Sequence, residues 1–329
     1  MIQHSPPLIS VLTPVYNGER YLDECIESVR AQTRTDWEYI VVDNCSQDGS
    51  ANLAERYAAI DGRIRVVRCD EFVNVHRNFS RCARLMNPHS RYCKFLSADD
   101  WMYPECLARM VSVADRHPTV GIVSSYHLYG KRLGHGGFVS YTDEVVPGAE
   151  VIRIKLLDNA YLVGSPSQLL FRAELVRRTD PFFDESVWHS DVHAAFRTFL
   201  EYDLGFVHQV LTYTRVHPAA LTSRSVRLNT YGADEVRLII QFGRKVLAPK
   251  VYRRTIRTAL RRYAWFLMRQ YVRPRIRDAE FHTYHREEIS RMLTEAGDDH
   301  ETRTVLRGLQ HLLWNRSSTP QSVAGVAAD

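Results

Sequence analysis

Phe95-Leu96-Ser97-Ala98-Asp99-Asp100-Trp101 is the stretch on which the reading of this chain turns. The apolar run from Tyr92 to Leu96 predicts a buried strand, and two adjacent carboxylates follow its C-terminal end. Trp101 and Pro104 predict a helix opening that continues through Leu107, Met110, Val111 and Ala114. In an open α/β sheet the carboxyl ends of strands face the ligand crevice, so acids placed here point at substrate rather than core. Two neighbouring acids repel each other, and a divalent cation held by oxygen ligands would relieve that repulsion. The same residues also suit a helix cap, since Asp is favoured at the N-cap and beside the positive helix end. The residues ahead of the stretch bear on which of these holds.

Composition sets the frame. With 329 residues, the chain has room for one large α/β domain plus an appendage, or for two domains. Its 45% hydrophobic and 25% charged residues are ordinary for a globular protein. No apolar run approaches a membrane span, and Met1-Ile2-Gln3-His4-Ser5-Pro6-Pro7 lacks a signal-peptide core. Cysteines 25, 45, 69, 82, 93 and 106 are scattered, without a Cys-x-x-Cys pair or metal-like spacing. They read as buried thiols of a reducing compartment, and the expected location is cytoplasmic. Residues 229–329 carry 18 Lys/Arg against 11 Asp/Glu, a net of +7, whereas the first 228 residues carry 25 against 27. The basic excess is therefore C-terminal, which predicts two functional territories.

Taken in order, Leu8 to Thr13 is a strand of the kind buried in parallel sheets. It ends in the turn signal Pro14-Val15-Tyr16-Asn17-Gly18, and Glu19 starts a helix with Leu22, Ile26 and Val29 on one face. Trp37 to Val42 is the next strand, stopping at the polar loop Asp43-Asn44-Cys45-Ser46-Gln47-Asp48-Gly49-Ser50. A second helix (Leu53, Tyr57, Ile60) leads to a third strand, Ile64 to Val67. Successive strand–helix units with short polar turns predict a right-handed parallel α/β sheet. No segment is Gly-rich enough for a dinucleotide or P-loop fingerprint.

Ser10 to Asn17, Gly18-Glu19-Arg20-Tyr21-Leu22, Gln32-Thr33, Trp37-Glu38 and Val41 to Ser50 together resemble the family 2 glycosyltransferases. Asp99-Asp100-Trp101 falls where that family places its metal-binding acidic motif. The resemblance covers residues 8–110 well and extends more loosely toward residue 220. It implies a GT-A fold: a Rossmann-like, mostly parallel α/β sheet flanked by helices. It also implies a nucleotide-diphosphate sugar donor, a divalent metal (Mn2+ or Mg2+) and inversion at the anomeric carbon. On this reading Pro14, Tyr16 and Asp43 at neighbouring strand ends serve the base and ribose, with core packing and helix capping as the plainer roles of Tyr16 and Asp43. Glu19 joins the donor set, although a first-turn Glu is also good helix chemistry. Arg77 and Asn78 sit in the family's donor-contacting segment, where Arg77 could hold a phosphate bidentately or a surface acid. Many members carry an acid where this chain has Ser97, which leaves Asp99 and Asp100 to divide the metal and ribose roles. If metal dependence is lost with that acid, the diphosphate needs Arg or Lys partners.

Beyond Val120 to Ser125, another strand, the pattern loosens. Tyr129 to Pro147 reads as a mobile loop or irregular hairpin, and Val151 to Leu157 as a short helix. Gly164-Ser165-Pro166-Ser167-Gln168 leads into the strand Leu169 to Phe171, which in the resembled family borders the acceptor. An inverting transfer needs one carboxylate to take the acceptor hydroxyl's proton. The family carries that acid in a Glu-Asp or similar pair opening a helix, which places it at Asp191, after Ser190. An N-cap Asp is the plainer reading, and His189 and His193 flank it as other acid–base or metal candidates. Strands Leu204 to Val207 and Leu211 to Arg215 run into Val216-His217-Pro218, where the family's Arg-x-His-Pro element makes His217 a metal or diphosphate contact.

Residues 244–277 hold twelve Lys/Arg and no Asp/Glu, with Tyr252, Ile256, Leu260, Tyr263 and Leu267 at helical spacing. Such a helix can lie on an anionic membrane, pack on its own domain with arginines outward, or form a homodimer seam. Nucleic acid is not expected, since no recognised module accompanies the basic run. The expected organisation is a GT-A domain over 1–222, with a nucleotide-sugar part to about 125 and an acceptor part from about 126. A basic helical region over 223–316 and a disordered tail over 317–329 follow. The expected activity is transfer of a sugar to a hydroxyl of a saccharide or lipid-linked acceptor, in envelope polysaccharide or glycan synthesis. A nucleotidyltransferase on a related fold would need a Gly-rich, Lys-containing loop after the first strand, which is absent. A non-catalytic sugar-binding or scaffold protein is the other alternative, kept open by Ser97 and Ser190.

Overall fold

The computed structural model describes residues 8–134, 139–160, 162–217, 221–272 and 279–314. The chain divides into two compact units, Met1–Pro218 and Ala219–Asp329. The tail expected over 317–329, the last basic residues of the 244–277 run and residues 135–138 of the Tyr129 to Pro147 segment lie outside the described residues.

The first unit is built on one ten-stranded sheet. Its strands are β1 (Ile9–Val15), β2 (Trp37–Asp43), β3 (Ile64–Arg68), β4 (Tyr92–Phe95), β5 (Trp101–Met102), β6 (Val120–Tyr129), β7 (Arg132–Gly134), β8 (Val145–Val146), β9 (Leu170–Arg172) and β10 (Asp203–Thr214). They follow the order β3-β2-β1-β4-β9-β6-β10-β5, with β7 on β6 and β8 on β10. The first four pair in parallel, with Val15 opposite Asp43 and Leu12 opposite Phe95, so β1, β2 and β4 end at one edge. Chain order reverses between β3 and β4, which puts a topological switch point, and hence a ligand crevice, at those ends. Beyond β4 the sheet becomes mixed, because β9 inserts antiparallel between β4 and β6.

Helices α1 (Glu19–Arg30), α2 (Ser50–Ile60), α3 (Val75–Leu85), α4 (Cys106–Arg116), α5 (Gly148–Asp158), α6 (Ala173–Arg177) and α7 (Ser190–Phe199) flank this sheet. The apolar stripe of α1, Leu22, Cys25, Ile26 and Val29, is completely buried. β1 is buried on both faces, Ser10 and Thr13 included, as a strand covered by helices on both sides requires.

Three elements differ from expectation. Trp101 does not open a helix: it pairs in β5 with Tyr213 of β10 and stacks on that ring at 5.1 Å, and the helix begins at Cys106. The two strands expected over 204–215 are one, β10, interrupted between Val207 and Val210 by a bulge that accommodates polar His208 and Gln209. α3 was not expected as a helix; Asn74 caps it by accepting the Arg77 N–H at 2.9 Å.

The second unit is helical: α8 (Leu221–Leu228), α9 (Thr230–Leu238), a π turn (Ile239–Gly243), α10 (Arg244–Val246), α11 (Pro249–Val272), α12 (Ala279–Glu295) and α13 (His300–Trp314). Inside it Tyr263 Oη lies 2.7 Å from His285 Nδ1, and His285 Nε2 lies 2.9 Å from the Leu228 carbonyl. Burial pushes the His285 imidazole down to about 4, so it is neutral at physiological pH, donating from Nε2 and accepting at Nδ1. Buried Arg237 is neutralised by Glu295 at 2.5 Å and faces Glu288 at 3.6 Å.

Candidate active site

At the ends of β1 and β2 two loops are laced together. Asn17 takes a positive φ of 51°, and the N–H groups of Asn17, Gly18 and Glu19 donate to Ser46 Oγ (2.9 Å), Ser50 Oγ (2.8 Å) and Asp48 Oδ2 (3.1 Å). In return Asn17 Oδ1 accepts from Gln47 N and Glu19 Oε2 from Gly49 N, both at 2.8 Å. Glu19 is thus engaged as a clip between the loops. The lacing leaves Tyr16 standing out, 47% exposed, with its ring 4.8 Å from that of Phe72, itself 57% exposed. The two exposed rings, tilted 58° to each other, put an apolar surface at the sheet's carboxyl edge on which a nucleobase can stack. Pro14 lies within β1, partly exposed, so the turn starts at Tyr16.

Asp43 closes β2 and is 4% exposed. Its Oδ2 accepts the Ser46 N–H at 3.2 Å, while buried Oδ1 has no partner. A desolvated acceptor of this kind is costly unless a donor arrives to satisfy it, as a base or ribose would. Neighbouring Asn44 bonds both polar groups of Val73, at 2.7 and 3.0 Å, and so fixes the approach to α3. On α3 the Arg77 side chain reaches Glu185 at 3.8 Å, both groups being exposed, and Asn78 is buried with Oδ1 unpartnered.

The acidic centre follows β4. His217 Nε2 lies 2.9 Å from Asp99 Oδ2. Asp100 turns inward: it is buried and its Oδ1 accepts the Arg215 N–H at 3.0 Å. Burial, with Asp99 adding to it, pushes the Asp100 carboxyl up to about 7. The Arg215 side chain donates to the Asp99 carbonyl at 3.0 Å, pairs with Glu24 at 2.5 Å and lies 4.5 Å over the Tyr21 ring. Beneath the loop, fully buried Lys94 donates to the carbonyls of Ser167 and Leu169, and burial lowers its pKa to about 8. Ser167 Oγ accepts the Ser97 N–H at 3.0 Å, so the 164–168 segment is tied to the acidic loop. The structure therefore brings Asp99 and His217 together on an open side and gives Asp100 a buried, backbone-anchoring position.

Asp191 sits partly exposed in the first turn of α7. Beside it Ser190 Oγ lies 2.8 Å from Nδ1 of His76, in the first turn of α3. Burial lowers the His76 pKa, against the charge of Asp191 acting to raise it. His193 is buried at 1% exposure and packs inward. Phe72, His76, Lys94 and Arg215 were not singled out in the sequence; Arg215 alone carried a signal, as the Arg of Arg-x-His-Pro.

Among the described residues no group of three or more His, Cys, Asp or Glu side chains gathers to hold a metal. Asp99 and His217 offer a carboxylate oxygen and an imidazole nitrogen, ligands that suit a borderline ion such as Mn2+. Two protein ligands leave the other positions to diphosphate oxygens and water, as is usual where a metal binds with phosphates. The donor set fits.

A family model described as "Glycosyl transferase family 2" matches residues 10–179. The chain belongs to glycosyl transferase family 2. The chain is 40% identical over 94 residues to the "Putative teichuronic acid biosynthesis glycosyltransferase TuaG" of Bacillus subtilis (strain 168), a match covering 29% of this chain and 36% of that relative. The chain thus aligns with about a third of that protein's length. Among solved structures it is similar to S. aureus TarS in complex with UDP, with TM-score 0.60, 17% identity and coverage of 97% of this chain and 94% of that one. It is also similar to the mannosyltransferase PcManGT of Pyrobaculum calidifontis in complex with GDP-Man and Mn2+, with TM-score 0.56, 17% identity and coverage of 95% and 88%. These neighbours share the GT-A-type fold of this chain. Asp191 and His217 lie beyond the residues that the family model matches.

Proposed function

We propose that this glycosyltransferase moves a sugar, with inversion, from a nucleotide-diphosphate sugar to a hydroxyl of a saccharide or lipid-linked acceptor in bacterial envelope glycan synthesis. What carries the reading is the meeting of Asp99 and His217, 118 residues apart, at the end of β4, while Tyr16 and Asp43 occupy the ends of neighbouring β1 and β2. Tyr16 and Phe72 stack the base, and the open Asp43 oxygen accepts a base or ribose hydrogen bond. Asp99 and His217 would hold a divalent cation, whose chemistry is to neutralise the charge growing on the departing diphosphate. Arg215 fixes the Asp99 backbone, and the Ser97–Ser167 bond sets the 164–168 segment against the acceptor.

In the single displacement, the acceptor oxygen forms its bond to the anomeric carbon as the bond to the diphosphate oxygen breaks. Asp191 takes the hydroxyl proton. Ser190 and His76 hold the first turn of α7 in place through their 2.8 Å contact. Arg77, with Glu185 as its present partner, is the arginine available to a phosphate from the α3 side, and Glu19 supports the donor loops indirectly. Among the described residues no helix is long and apolar enough to cross a membrane. With the scattered free cysteines, this accords with work at the cytoplasmic side, the second unit serving as a peripheral membrane contact or homodimer seam.

Thermal-shift titration with UDP-, GDP- and dTDP-sugars, with and without Mn2+, tests the reading. One donor class should raise the melting temperature, more so with metal, and its slow hydrolysis should release nucleoside diphosphate. No shift with any donor, in either condition, would remove the basis of the proposal.

A further inference from the structure

We infer that the solvent face of α11 is a docking surface for an anionic phospholipid bilayer. The 24 residues of α11 include one Lys, six Arg and no acid. One side of the helix, through Tyr252, Ile256, Leu260, Tyr263 and Leu267, is buried in the second unit. The opposite side, at alternating spacings of three and four, is Val251, Arg254, Thr258, Arg261, Trp265 and Met268, and every one is exposed. This face extends for about 25 Å at the rise of an α-helix.

Trp265 is 61% exposed and Met268, one turn along the same face, 43%, on a helix that already buries its other face. Arg257 and Arg262 are neutralised by Glu301 and Glu235. Arg254, Arg261 and Arg269 are exposed and have no acidic partner among the described residues. Tryptophan between unpaired arginines matches the headgroup region of a bilayer, where the indole takes the acyl boundary and the guanidinium groups take lipid phosphates. A two-fold seam would set this acid-free face against its own copy and oppose like charges. Duplex phosphates would account for the arginines but not for Trp265 and Met268 projecting among them. The inference is independent of the donor chemistry.

The test is cosedimentation of the full chain with vesicles of phosphatidylcholine containing a quarter phosphatidylglycerol, against phosphatidylcholine alone, at low and high salt. Binding should need the anionic lipid and fall at high salt. Arg254→Gln/Arg261→Gln should weaken it about 30-fold, about fivefold per cation removed. Trp265→Ala should weaken it severalfold and remove quenching of tryptophan fluorescence by brominated lipid. Unchanged melting temperature and donor hydrolysis in both variants separate lost docking from lost fold. Equal binding to both vesicle types, insensitivity to salt or to the double substitution, or duplex DNA bound in preference to vesicles would overturn the inference. So would a stable dimer dispersed by Trp265→Ala. The assay contains no nucleotide sugar, so its failure would leave the transferase reading standing.

Discussion

Arg215→Ala tests how the acidic centre is held. The side chain is 20% exposed and, besides a looser approach 5.9 Å from the Tyr213 ring, makes three close contacts. Its Nε–H to the Asp99 carbonyl, at 3.0 Å, is a charge-assisted bond contributing about 1.5 kcal/mol. The pair with Glu24 is discounted to about 0.5 kcal/mol because Glu24 is 62% exposed. Stacking of the guanidinium 4.5 Å over Tyr21 adds about 0.5–1 kcal/mol. Arg215→Ala should therefore lower the unfolding free energy by about 2–3 kcal/mol, with the denaturant slope unchanged. Arg215→Lys keeps the charge but cannot make all three contacts at once, and should recover less than half of the loss. Since the released loop carries Asp99, turnover should also drop about tenfold, as for other supports of metal ligands. Nucleotide affinity without metal should stay as it was. A loss under about 0.5 kcal/mol, or full rescue by lysine, would refute the strut.

Tyr16→Ala and Phe72→Ala should each weaken nucleoside diphosphate binding about tenfold by calorimetry, the usual contribution of a stacked base. Asp43→Ala should do likewise, with a loss of about 1 kcal/mol in stability from the Ser46 N–H bond to Oδ2 that goes with it and none from the unpartnered Oδ1. Chelator should abolish turnover and Mn2+ or Mg2+ restore it, with Asp99→Asn and His217→Ala needing about 10–100-fold more metal. The His285 pKa is lowered on folding, from 6.5 to about 4, so the unfolded chain binds the extra proton between those values. Stability present above pH 6.5 should thus fall by about 3 kcal/mol as pH drops toward 4, and His285→Gln should flatten that slope in denaturant titrations.

The fold was legible where one signal repeated. β1, α1, β2 and α2 announce themselves through buried strand runs and a clean apolar stripe on α1. α3 was missed although Phe79, Cys82, Ala83 and Met86 recur at helical spacing behind the Asn74 cap, because three arginines and a histidine dominate its composition. Trp101 misled because an aromatic ahead of Pro104 looks like a helix start, whereas Tyr213, far along the chain, captures it by stacking.

The site offered local marks at Asp43 and Asp99, acids that follow apolar strands, and at His217 through the resembled Arg-x-His-Pro element, and the structure sets His217 2.9 Å from Asp99. It was illegible where a role depends on a distant partner. Nothing near Glu19 says that Gly49 N–H will occupy its carboxylate, and nothing near Lys94 says that Ser167 and Leu169 carbonyls will receive its ammonium. Asp100 looked equivalent to Asp99 until β10 brought the Arg215 N–H to it. His76 and Ser190, 114 residues apart, carry no local sign of their contact.

The central claim is that Asp191 accepts the proton of the attacking hydroxyl, and one measurement tests it most directly: turnover of Asp191→Asn with a matched donor and acceptor. Asparagine keeps the size and the first-turn position on α7 but removes basicity. Turnover should fall by about 10²–10⁴, the usual contribution of a positioned base, while donor affinity and melting temperature stay near wild type. Near-normal turnover in the Asp191→Asn protein would contradict the claim and pass the role to the flanking His189.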